Sequence, residues 1–81
     1  MASENREDAG YCTRLERALR EAMGVFGEDS VDAMIMALQN KYGLRIGKPP
    51  CSSIEEIESA LSEITGTGAD IIVSRMRAFL R

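Results

Sequence analysis

The sequence predicts an all-α domain of four to five helices, built from two αα-hairpins in a compact orthogonal or bundle-like arrangement. Three observations carry that prediction. Apolar residues recur at spacings of three and four in four separate segments. Glycine pairs and one proline pair separate those segments. With 81 residues, 44% of them apolar, the chain can build a single core but not two. The expected layout is a disordered tail over 1–10 and one helical domain over 11–81. Within that domain a hairpin over 11–42, a linker over 43–52 and a second hairpin over 53–81 follow in order.

The tail, MASENREDAG, is polar and acidic and has no apolar signal core. From Tyr11 the pattern changes, and Cys12, Leu15, Leu19, Ala22 and Met23 mark one face of an amphipathic helix. Glu16 and Arg20 form an i,i+4 pair in the favourable order. Gly24-Val25-Phe26-Gly27 breaks this helix, and Glu28-Asp29-Ser30 supplies acidic and capping residues for the next. The second helix is expected from about Ser30 to Tyr42, with Gly43 as its left-handed C-terminal cap.

This second helix is unusually apolar. Val31, Met34, Ile35, Leu38 and Tyr42 make one stripe, and Ala33, Met36 and Ala37 widen it past the usual ~100°. Such a helix is either the central element of a domain or one side of an interface, and central burial is the expectation here. In the linker Pro49-Pro50 forbids continuation of the helix, while Leu44 and Ile46 should anchor an extended stretch to the core. Ser52 or Ser53, with Glu55 or Glu56, gives the third helix a capping box in either register. Its inward stripe is Ile54, Ile57, Ala60, Leu61 and Ile64, and Thr65-Gly66-Thr67-Gly68 ends it. The fourth helix should turn Ile72, Val73, Met76, Phe79 and Leu80 inward, with Asp70, Ser74, Arg77 and Arg81 outside.

A shift of 42 residues aligns 11–38 on 53–80 without a gap and makes eight of 28 positions identical. They are Glu16/Glu58, Ala18/Ala60, Leu19/Leu61, Glu21/Glu63, Gly24/Gly66, Val31/Val73, Met34/Met76 and Leu38/Leu80. Either a helix-turn-helix unit has been duplicated, or two hairpins share similar patterning. Both readings give the same architecture.

Composition limits the chemistry. With no His there is no His-based triad, imidazole metal ligand or imidazole pH switch. The two cysteines form no CxxC pair, so no metal or other cofactor is expected. Cys12 reads as a small buried hydrophobe. Cys51 follows the prolines and reads as exposed, but Lys48 alone is thin support for a reactive thiolate. A disulfide between them would require an oxidising compartment, and the sequence points instead to a soluble cytoplasmic domain. An enzyme is therefore not expected. Ten basic and thirteen acidic residues leave a net charge of −3, which argues against nucleic-acid binding by bulk charge and against a membrane partner.

Two surfaces remain as candidates. One combines Ala33, Met36 and Ala37 with the basic Arg75 and Arg77, suited to an unidentified protein or to a second copy of the chain in a homodimer. The other is the turn Gly66, Thr67 and Gly68, which resembles the phosphate-contacting turn of helix-hairpin-helix DNA-binding modules. Asp70 stands there where a basic residue would help, so a weak nucleic-acid binder is the alternative reading.

From Leu19 to Leu80 the pattern also resembles a small archaeal family, the Nitrosopumilus-type output domains and their stand-alone relatives of unknown function. The features that carry the likeness are the apolar helix ending in Lys41-Tyr42-Gly43-Leu44, the short linker, Ala60-Leu61 on an acidic helix, and Gly66-x-Gly68-Ala69 leading into a last apolar helix. The resemblance implies an all-helical, non-enzymatic domain that works in signalling or regulation through protein contact. It carries over no catalytic residue.

Overall fold

The first helix starts earlier than its apolar pattern. In the computed structural model, which describes residues 7–80, α1 runs Ala9–Met23 and Asp8 is its N-cap. Asp8 sits in the β region, and its carboxylate accepts the Gly10 N–H at 2.8 Å. The expected tail over 1–10 is thus corrected at its end: the polar residue that looked like tail satisfies the helix's first amides. Residues 1–6 of that tail lie outside the described residues.

The remaining elements are a 3-10 turn, Gly24–Phe26, then α2, Glu28–Asn40, α3, Ile54–Thr65, and α4, Gly68–Leu80. The helices are all-α in one domain, as the periodicity predicts. α2 is displaced by two residues from its expected span, because Gly27 at φ 95° caps it without a side chain and Ser30 lies inside its first turn. Its end follows the expected chemistry. Gly43 at φ 68° lets the Leu44 N–H reach back to the Leu38 carbonyl at 3.0 Å.

Between the two possible capping boxes the fold uses Ser53. Its hydroxyl accepts the Glu56 N–H at 3.1 Å, and Glu56 accepts the Ser53 N–H at 2.9 Å. Ser53→Ala should therefore cost about 1 kcal/mol, read as a lower denaturant midpoint with an unchanged m-value. Ser52, the unused candidate, is nearly buried and does different work. It accepts the Arg45 N–H and donates its own N–H to the Arg45 carbonyl, both at 2.9 Å. Arg45 also donates from its guanidinium to the Pro49 carbonyl at 3.1 Å. The linker is therefore a closed loop, with Ile46 buried and Leu44 packed against the core as expected.

Closing that loop turns Cys51 inward. It is 2% exposed, and Cys12 on α1 is 0% exposed. Their Cα atoms are 5.8 Å apart, and the two are joined by a disulfide. The expectation for Cys51 is thereby corrected, and the burial expected for Cys12 is met. Cys51 is not an exposed thiol, and Cys12 is a buried residue that also carries a covalent link. Gly47, at φ 81°, lies so close to Glu16 that a Cβ there would collide with the carboxylate. The loop is strapped along α1.

The core is centred on α1 and α4. Cys12, Leu15, Ala18, Leu19, Ala22 and Met23 of α1 face Ala69, Ile72, Val73 and Met76 of α4, and α3 closes the layer with Ile54, Ile57, Ala60 and Leu61. The expectation that α2 is central is overturned. It buries only Val31, Ile35 and Leu38, and it lies beside the 3-10 turn with a limited contact to α3. Its stripe is wide because a second face is apolar, not because two sides are covered. Phe79 and Ile64, both expected inward, are 45% and 39% exposed. They continue the buried stripes of α4 and α3, and Ile64 faces the open groove beside α2.

Candidate functional site: the groove beside α2

The 42-residue repeat explains where the surface is incomplete. Under that shift α1 corresponds to α3 and α2 to α4, so the extensive α1–α4 packing has α3–α2 as its counterpart. The helix ends obey the repeat: α1 stops at Met23 before Gly24, and α3 stops at Thr65 before Gly66. The turns do not. Gly24 is right-handed at φ −59°, followed by the 3-10 turn, whereas Gly66 at φ 64° reverses the chain at once. The longer first turn carries α2 away from α3.

What remains between them is a groove made of two adjoining depressions of about 330 and 310 Å³. Ala33, Met34 and Ile64 line both. Phe26 closes one end at 47% exposure, and Lys41, Tyr42 and Glu63 surround the other. Lys41 holds its ammonium 5.9 Å from the centre of the Tyr42 ring, within cation–π reach. Ala33 is exposed and Ala37 half-buried on the outer edge, and Met36 beyond them is 59% exposed. The sequence-predicted residues of α2 thus stand on an apolar surface. The groove walls contributed by Phe26 and Ile64 were missed, because periodicity assigns a residue to a face without saying what covers it.

Arg75 and Arg77 do not join this surface. They are exposed on α4, which packs against α1 and α3, and Arg77 reaches Glu55 of α3 at 3.7 Å. On the opposite flank of α2, Arg20 of α1 bonds Asp32 at 3.0 Å and Glu16 at 3.1 Å. Those two carboxylates, Asp32 first, raise the Arg20 pKa and hold its guanidinium charged. Glu16–Arg20 was expected from spacing. The reach to Asp32 adds a surface ion pair between α1 and α2, worth about 0–1 kcal/mol at this exposure.

The turn at Gly66, Thr67 and Gly68 is closed on its own backbone. Ala69 N–H donates to the Gly66 carbonyl at 3.2 Å, and Asp70 N–H to the Thr67 carbonyl at 3.3 Å. Gly66 N–H meets the Ser62 carbonyl at 2.9 Å, and Thr65 Oγ1 donates to Leu61. Gly66 is needed for its left-handed φ, and a Cβ on Gly68 would already touch Thr65 at 3.4 Å. Asp70 adds an exposed carboxylate in the first turn of α4.

Compared with protein families, characterised proteins and solved structures, the chain matches none. Among the described residues no group of three or more His, Cys, Asp or Glu is placed to hold a metal ion. None of the described helices is long and apolar enough to cross a membrane.

Proposed function

We propose that the chain is a non-enzymatic interaction domain that docks a protein partner in the groove between α2 and α3. The observation that carries this is the exposure of Phe26 and Ile64 in one apolar depression beside α2, a helix with little packing of its own that also exposes Met36. Its chemistry supports binding over catalysis. The chain has no imidazole, and its two thiols are joined to each other. The likeness to archaeal output domains agrees with a regulatory role through protein contact. The Cys12–Cys51 disulfide favours an oxidising compartment over the cytoplasmic placement expected from the sequence.

A photo-crosslinking side chain at position 36, with position 75 as the control, tests this in cells. Adducts with a protein chain should form at 36 and be scarce at 75. Equal labelling at both positions, or none at 36, would overturn the reading. The same protein should leave a short DNA duplex unshifted at low salt, since the Gly66, Ala69 and Asp70 amides already have carbonyl acceptors and Asp70 adds a carboxylate at that helix start. A shift that fades as salt rises would instead favour the turn as a phosphate site.

A further inference from the structure

The outer row of α2 is self-complementary, and we infer that the partner in the groove is α2 of a second copy, crossing antiparallel about a two-fold axis. This rests on the docking reading above and names its occupant. Asp29, Ala33, Ala37 and Lys41 follow one another every four residues and so form one ridge on the helix surface. Lys41 belongs to it because, as C-cap, it keeps right-handed helical angles at φ −90°, ψ −37°.

The ridge is acidic at its N-terminal end, with Glu28 beside Asp29, and basic at its C-terminal end. Its middle is two alanines, small enough to let two helices approach closely. Asp29 and Lys41 are equally distant in sequence from Ile35, and so are Ala33 and Ala37. A two-fold axis at the level of Ile35 therefore places each Ala33 against the partner's Ala37 and each Asp29 beside the partner's Lys41. All the contacts close in one register, as an isologous interface requires.

Two further features fit. Among the described residues neither Asp29 nor Lys41 has an ion-pair partner within the chain, so both charges are available. Phe26 and Ile64, exposed in the same depression, extend the apolar area beyond the ridge on the α3 side. A parallel arrangement would set Lys41 against Lys41 and Asp29 against Asp29, which like-charge repulsion disfavours.

The test is the solution mass of the intact chain and two charge variants, by light scattering at about 100 μM, where a dimer of micromolar affinity is nearly full. Wild type should have twice the mass of the 8.9 kDa chain. Lys41→Glu and Asp29→Lys should each weaken the dimer at least about tenfold, because each makes both symmetric pairs repulsive. Mixed in equal amounts, the two variants should recover the double mass as a heterodimer. In that pairing Glu at 41 meets Lys at 29, and the native Asp29 meets the native Lys41. Recovery on mixing also shows that both variants are folded.

A monomeric wild type overturns the inference, and so do variants that remain full dimers. A monomer whose position-36 adducts contain a different protein sinks the dimer but leaves the docking reading standing. No adducts at position 36 sinks both.

Discussion

Replacing both Cys12 and Cys51 by alanine should lower the stability of the domain by about 4 kcal/mol. The bond spans 39 residues of sequence. Closing a loop of that length in the unfolded chain removes entropy worth about 4 kcal/mol at 25 °C in the chain-entropy account. For a domain of this size the expected fall in Tm is roughly 15–30 °C, at about 4–8 °C per kcal/mol. Removing one partner alone should cost nearly as much, since either change opens the ring. Thermal unfolding followed by circular dichroism measures the effect. A thiol assay on the denatured wild type is its companion, and it should find no titratable thiol. A Tm shift of only a few degrees, together with free thiols on denaturation, would show that the two cysteines sit side by side without the bond.

Met76→Ala should cost about 2–5 kcal/mol, while Met34→Ala should cost under about 1 kcal/mol. These methionines occupy equivalent positions in the 42-residue repeat, so the comparison holds side-chain chemistry constant and varies only the surroundings. Met76 is 0% exposed at the centre of the α1–α4–α3 layer, where deleting its thioether leaves a cavity. Met34 is half-buried on the groove wall, where water already reaches part of it. Urea unfolding of the two variants gives both values on one scale. Equal losses would mean that α2 is as firmly integrated as α4, and that the groove is closed in solution.

The helices were legible because each carries its own periodic signal, and local chemistry set most of their ends: Gly43 after α2, Gly66 after α3, the serine–glutamate box before α3. The misses share a physical cause. Ile64 and Phe79 have the right phase for the core, but phase is a property of one helix and burial depends on where its neighbours lie. Cys51 looked exposed because it follows two prolines in a loop. Its burial depends on Ser52 turning back to pair with Arg45, a contact between backbone groups seven residues apart that no short window contains. α2 looked central because its apolar surface is wide. Width counts apolar residues and is blind to whether they meet the chain's own core or remain free. Of the expected surface, Ala33, Met36 and Ala37 fall beside the groove, whereas Arg75 and Arg77 belong to a different helix and a different set of neighbours.

The disulfide also has a topological consequence. The covalent ring closed by Cys12 and Cys51 encloses most of α1, the 3-10 turn, all of α2 and the strapped loop, whereas α3 and α4 lie outside it. The helix with the least packing is therefore the one whose two ends are both tethered within a ring. If its side chains let go of the core, the segment cannot diffuse far, and its return is a short intramolecular search rather than a refolding of the chain. A surface helix held this way can give an apolar face to solvent or to another molecule and still keep its place.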